Sequence, residues 1–209
     1  MAKSRRKVNT RQIPPDLILI VCEGEKTEPC YFECFPLHTK KIAIIKGTGT
    51  STLALINETD KELQKAKKWY FDDYGIHLKD KDIVVWCVFD YDDAPDDQFD
   101  NAIHSARAKN YRVAYSNEAF ELWYWLHFDY VNTGVSRNEY KSRLSKRLGF
   151  EYQKNNPKIY QILKHRQGTA LKNAKNLYQN YVPPTPSKDN PSTTVFELVE
   201  YLNQFGKRE

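Results

Sequence analysis

The chain has 209 residues, 40% of them apolar, 28% charged and 13% aromatic. At about 150 residues per domain this predicts one elaborated domain with a packed core, and the aromatic content excludes a disordered chain. The longest apolar runs, Leu17 to Cys22 and Ile83 to Phe89, fall far short of the roughly 20 residues of a membrane-spanning helix, and no apolar stretch follows the basic N-terminus as a secretory signal requires.

The net charge of +5 is unevenly spread. Residues 1–11 carry five basic side chains and no acidic one; residues 12–131 carry 13 basic and 21 acidic. Residues 132–182 reverse the balance, with 11 basic and 2 acidic. An acidic body joined to a basic arm and a basic second part points to a nucleic-acid partner, RNA or DNA, against the plainer reading of solvated helix faces. The four cysteines form no zinc-ligand pattern: Cys22 and Cys87 sit in apolar runs, and Cys30 and Cys34 lack a second pair. A reduced, cytoplasmic protein is expected.

In chain order, residues 1–15 read as a flexible basic arm. Leu17 to Cys22 is a strand whose unbroken apolar character suits burial on both faces. Residues 27–35 read as a helix with Thr27 as a cap, and Lys41 to Lys46 as a second strand. Thr50 to Trp69 is a long helix, Ile83 to Phe89 a third strand, Asp96 to Lys109 a helix and Tyr111 to Tyr115 a fourth strand. Alternating strands and helices predict an α/β fold with a mostly parallel sheet and helices on both faces. Glu118 to Phe128 reads as a buried helix, apolar nearly all round, with Ser116 or Asn117 as its N-cap. Further helices are expected over residues 138–148, 158–165, 169–181 and 195–205. The division is a basic arm (1–15), an α/β core (16–130) and a basic helical elaboration packed on it (131–209).

Ligands of parallel sheets bind at the carboxyl ends of strands. Here those ends are acidic. The first apolar run leads into Glu23-Gly24-Glu25, the third into Asp90-Tyr91-Asp92-Asp93. Alternation along an extended chain puts Asp90 and Asp92 on one face. Carboxylates gathered there repel one another unless a cation neutralises them. Hard oxygen ligands select Mg²⁺ or Mn²⁺, and such an ion assists phosphoryl transfer. The plain alternative is acidic residues that merely open loops.

This pattern resembles the Toprim fold, whose signature is a Glu after the first strand and an Asp-x-Asp after a later one. Glu23, Asp90 and Asp92 match it. The chain is similar, more specifically, to the RloB family of bacterial Toprim proteins. The similarity rests on residues 20–28 (IVCEGEKTE), 88–93 (VFDYDD), Ser116-Asn117 with Phe120-Glu121-Leu122-Trp123 and His127-Phe128, and 190–195 (NPSTTV). It implies a metal-dependent nuclease, acting on RNA such as tRNA, in defence against phage, with a partner protein from a defence locus as a further candidate. Glu23, Asp90, Asp92 and Asp93 are the expected metal ligands. Glu23 has general base as its alternative role, and Lys26 would offset phosphate charge. The competing readings are a non-catalytic nucleic-acid-binding or phage-sensing protein, and a nucleotide-binding regulator.

Other residues carry two readings each. Glu121, in an apolar segment, needs a partner, structural or functional. His127 is a satisfied core histidine or a general acid or base. Lys46 to Thr52 is a plain loop or a phosphate cradle, without a P-loop ending. Thr194 and Glu197 fit a capping box. Arg143, Lys146, Arg147, Lys164, Arg166 and Lys172 are the expected phosphate contacts. Tyr140, Tyr152, Tyr160 and Tyr178 among them either stack on bases or belong to the core.

Overall fold

The computed structural model describes residues 16–36, 42–47, 51–92 and 95–206. The basic arm, Asp93, residues 48–50 and the start of the expected second strand lie outside them. Strands Leu17–Cys22 (β1), Ile42–Ile45 (β2), Ile83–Tyr91 (β3) and Arg112–Asn117 (β4) form one parallel sheet in the order β2-β1-β3-β4.

The unbroken apolar runs are explained by covering on both faces. Alternate residues point to opposite sides of a strand. Leu17, Leu19, Val21, Val85, Cys87 and Phe89 face one layer, built from α2 (Thr52–Tyr74) and α3 (Asp96–Ala108). Ile18, Ile20, Cys22, Trp86 and Val88 face the other. That second layer holds α1 (Thr27–Phe32) and the helices that follow β4: α4 (Glu121–Trp125), α5 (Arg137–Leu148), α6 (Ile159–Leu163), α7 (Gln167–Tyr178) and α8 (Val195–Asn203). One face of the sheet therefore shares its core with the basic helical part. The result is an α/β fold of Toprim-like kind.

The chain leaves β1 toward β2 on one side, then crosses back through α2 to β3 on the other. The order thus reverses between β1 and β3, and a crevice opens outside the carboxyl ends at such a point. Glu23 and Asp90 stand there.

Three local expectations need correction. The helix expected over 118–128 is only α4, five residues long. Glu118 takes a left-handed backbone conformation (φ 71°) and donates its N–H to the Tyr91 carbonyl at 2.7 Å, so the chain turns before the helix begins. Its apolar composition reflects burial all round rather than a long helix. Ser116 and Asn117 end β4 and cap nothing; the N-cap position of α4 is Phe120. Thr27 is already inside α1, after Lys26.

Candidate functional site

Glu23 follows β1 directly and still keeps the ladder, its N–H donating to the Val88 carbonyl at 2.8 Å. This fixes its side chain beside the end of β3. One carboxylate oxygen accepts from the Thr52 hydroxyl at 3.1 Å, the other from the backbone N–H of Asp90 at 3.4 Å. Asp90 Oδ2 accepts the backbone N–H of Phe120 at 3.0 Å. Its Oδ1 is buried with no hydrogen-bond partner among the described residues.

Two glycines permit this convergence. A Cβ on Gly47, after β2, would lie 1.9 Å from the Glu23 carbonyl oxygen. A Cβ on Gly24 would lie 2.3 Å from the Glu28 carboxylate. At Gly47 the neighbour is backbone, so the chain must be bare there for the strand ends to close up; at Gly24 it is the end of a side chain.

The strand ends open into a cleft of about 350 Å³, lined by Glu23, Gly24, Glu25, Lys26, Thr27, Glu28, Asp90, Asp92 and Lys154. Glu23, Lys26, Asp90 and Asp92 are thus together, as the spacing suggests. Asp92 faces Arg137 of α5 at 3.1 Å. Asp93 lies outside the described residues.

Burial and crowding set the electrostatics. Burial lifts the Glu23 carboxyl from 4.5 to about 7, against the pull of its hydrogen bonds from Thr52 and Asp90. It lifts Glu28 equally, helped by the Glu121 charge and opposed by backbone N–H groups and Lys154. Asp90 is raised well above the usual carboxylate range, first by burial, then by Glu28 and Glu121. A group of perturbed acids in a cleft makes this the candidate site.

Glu28 escaped sequence reasoning as a site residue. One signal was available: a Glu within an otherwise apolar turn, next to Thr27 and Pro29. Glu121 is buried but not alone. Its Oε1 accepts from the Tyr152 hydroxyl at 3.0 Å and faces Lys154 Nζ at 3.8 Å. Lys154 is one of the basic residues of the 132–182 segment that the charge reading offers to phosphates, but its place in this cleft is not foreseen from sequence, because it sits on a loop without periodicity.

The donors in the cleft are all oxygens, the kind a hard dication prefers. Among the described residues, no three His, Cys, Asp or Glu side chains form a ready metal cage. Mg²⁺ commonly takes only one or two carboxylates and fills the rest with water and phosphate oxygens. Glu23 and Asp90, with its unpartnered Oδ1, fit that smaller demand.

Several expected residues lie elsewhere. His127 does not line the cleft. It is fully buried, Nδ1 sits 2.9 Å from the Trp123 carbonyl, and burial lowers its pKa to about 4. Tyr140, Tyr152 and Tyr160 are core residues, so base stacking by them is excluded in this fold. Arg147 is held by Asp129 through both Nε (2.9 Å) and a terminal nitrogen, and Arg143 faces Glu139 at 3.9 Å. The Arg166 guanidinium lies over the Phe128 ring at 5.4 Å. Lys164 is half-buried in the short turn before α7, and Lys146 and Lys172 are exposed.

The capping-box reading of Thr194 also fails. Its hydroxyl accepts from the Tyr115 N–H at 3.0 Å and makes no cap bond to α8, whose first N–H, from Val195, donates instead to Thr193 Oγ1 at 3.2 Å. Thr193 Oγ1 donates to the Tyr115 carbonyl at 2.9 Å and lies 3.0 Å from Ser116 Oγ. The Ser192-Thr193-Thr194 segment therefore fastens onto the outer edge of β4.

A family model described as RloB-like protein matches residues 18–202. The chain belongs to the RloB-like family. The match embraces both the sheet and the basic helices, so an RloB-like chain is defined by the two together. Searches of curated proteins and of solved structures give no match. Among the described residues of this RloB-like protein, no helix is long and apolar enough to cross a membrane.

Proposed function

We propose that this protein is a cytoplasmic metal-dependent nuclease that hydrolyses phosphodiesters in nucleic acid, RNA such as tRNA in first place, in bacterial defence against phage. One observation carries the reading. Glu23 and Asp90, from two different strands, meet at the topological switch point in a cleft open to solvent. Family membership supports the same chemistry by resemblance alone.

Glu23 and Asp90 would hold Mg²⁺ or Mn²⁺, with Asp92 close by. When bound, the ion supplies Lewis-acid polarisation of a phosphoryl oxygen and charge neutralisation. Thr52 and the Asp90 N–H orient the Glu23 carboxylate. The Phe120 N–H orients Asp90. Lys26, at the mouth of the cleft, offsets phosphate charge. Glu23 is also the residue placed to take a proton from an attacking water, as an alternative to ligation.

A second reading is a non-catalytic nucleic-acid-binding or phage-sensing protein. The 11 basic against 2 acidic side chains of residues 132–182 favour it, since they bind phosphates with or without cleavage. The deciding experiment is incubation of purified protein with mixed tRNA and DNA substrates, with Mg²⁺, with Mn²⁺ and with chelator. Cleavage that needs the metal and disappears in Asp90→Asn supports the nuclease. Binding without cleavage under every metal condition supports the second reading.

A further inference from the structure

Lys154 reaches the cleft from outside the α/β layer. Among the described lining residues, it alone comes from the chain beyond residue 131. Its place is fixed two residues earlier. Tyr152 is buried, its ring 6.1 Å from that of Tyr124, its N–H on Ser145 Oγ at 2.9 Å and its hydroxyl on Glu121 at 3.0 Å. The loop between α5 and α6 is thereby pinned, and Lys154 is delivered over the cleft with its side chain 67% exposed.

Its resting partner is weak. The Lys154 ammonium stands 3.8 Å from Glu121 Oε1. That exceeds hydrogen-bond range, and buried Glu121 keeps its hydrogen bond from the Tyr152 hydroxyl at 3.0 Å when the ammonium moves away. The ammonium can leave Glu121 for an incoming anion at small cost. Opposite it stand Glu23, Glu28 and Asp90, which repel a phosphodiester. Lys26 is the other cation lining the cleft.

We propose that Lys154 is a catalytic residue whose ammonium contacts a non-bridging oxygen of the phosphodiester being cleaved. The proposal rests on the nuclease reading of the same cleft and extends it, because it gives the basic helical part a direct place in the chemistry. A flexible point charge suits that role, since it follows the phosphate as charge develops and no proton need move.

The test compares Lys154→Met, Lys154→Arg and, as a control outside the cleft, Lys158→Met. Binding of a short fluorescent single-stranded RNA is followed in Ca²⁺ from about 50 to 200 mM salt. Cleavage is followed in Mn²⁺. Lys154→Met should lose about threefold in affinity at low salt and reduce the salt slope by about 0.7. Its cleavage rate should fall about 100-fold. Lys154→Arg should restore the slope, and Lys158→Met should cleave normally. A wild-type slope in Lys154→Met overturns the proposal, as does a normal rate with a reduced slope. If wild-type protein binds RNA but never cleaves, while Lys154→Met still lowers the slope, the nuclease reading falls and the phosphate contact stands. If wild-type protein cleaves and Lys154→Met matches it throughout, the phosphate contact falls and the nuclease reading stands.

Discussion

The backbone N–H of Asp90 donates to the carboxylate of Glu23 across 3.4 Å, joining residues 67 positions apart in the chain. The main chain of one acidic motif thus orients the side chain of the other. The Asp90 carboxylate is held separately, by the Phe120 N–H, and both gain a fixed geometry that the exposed Asp92 lacks.

Changing either carboxylate to its amide should suppress metal-dependent cleavage by about 100-fold or more, since charge at the developing phosphoryl centre is lost. The fold should survive. Asp90→Asn keeps an oxygen for the Phe120 N–H and removes one of several repelling charges. Melting temperature without metal should be equal or higher, and its rise on adding Mn²⁺ smaller. Cleavage at the wild-type rate in both Asp90→Asn and Glu23→Gln would place the chemistry elsewhere.

The two cleft glycines should differ. In Gly47→Ala the new methyl meets backbone, at 1.9 Å from the Glu23 carbonyl oxygen. Backbone cannot step aside, so a loss of about 3 kcal/mol in unfolding free energy is expected. In Gly24→Ala the methyl meets the far end of the Glu28 side chain. That end can move, so less stability should be lost. Urea denaturation of both variants, with unchanged m-values, measures the difference.

Stability should fall as pH rises in the metal-free protein. Glu23 and Glu28 each titrate near 4.5 unfolded and near 7 folded. Between those values the folded state binds more protons, so their contribution is full below about 4.5 and is lost through about 7. Asp90 acts in the same direction. His127 opposes them: lowered from 6.5 to about 4, it favours the folded state above 6.5 and loses that contribution as pH falls. Three carboxylates against one imidazole leave a net decline on the alkaline side. Glu28→Gln, which faces Glu121, Asp90 and Lys154, should flatten the decline. A thermal melt series from pH 5 to about 8, the range in which folded proteins are usually most stable, reads this directly. An unchanged slope in Glu28→Gln would contradict it.

Nucleic-acid affinity should depend unequally on the basic helices. Arg147 is engaged by Asp129 through two nitrogens, so Arg147→Met should change the salt slope little. Lys146→Met with Lys172→Met should lower it by about 0.7 for each phosphate left without its lysine on a single strand. Equal effects from Arg147 and the two lysines would show that the Asp129 pair opens on binding.

Much of this architecture is legible in the sequence because burial writes itself there. β1 and β3 are sandwiched between layers, so every residue from Leu17 to Cys22 is apolar, and the polar residues that end those runs mark the cleft. Positions set by tertiary packing are not legible. Glu118 turns the chain through a left-handed conformation that composition does not announce. Thr194 has the spacing of a cap, yet the edge of β4 claims its hydroxyl. Lys154 enters the cleft because Tyr152 is buried two residues away, a relation no periodicity encodes. Glu28 carries a local signal in its apolar turn, but its pairing with Glu121 is not legible, since only the fold brings Glu121 to its side.

The fastening of Ser192 to Thr194 onto β4 bears on how this protein can be cut. An outer strand with open N–H and C=O groups is a template for pairing with other chains. Here the Tyr115 N–H and carbonyl are both taken by that late segment, and α8 behind it covers the same face as Trp86 and Ala114. A fragment ending near residue 130 would bare both the edge and that face at once. Such a fragment should self-associate through β4 rather than remain a monomer, so the acidic cleft is best studied in a chain that keeps its last helix.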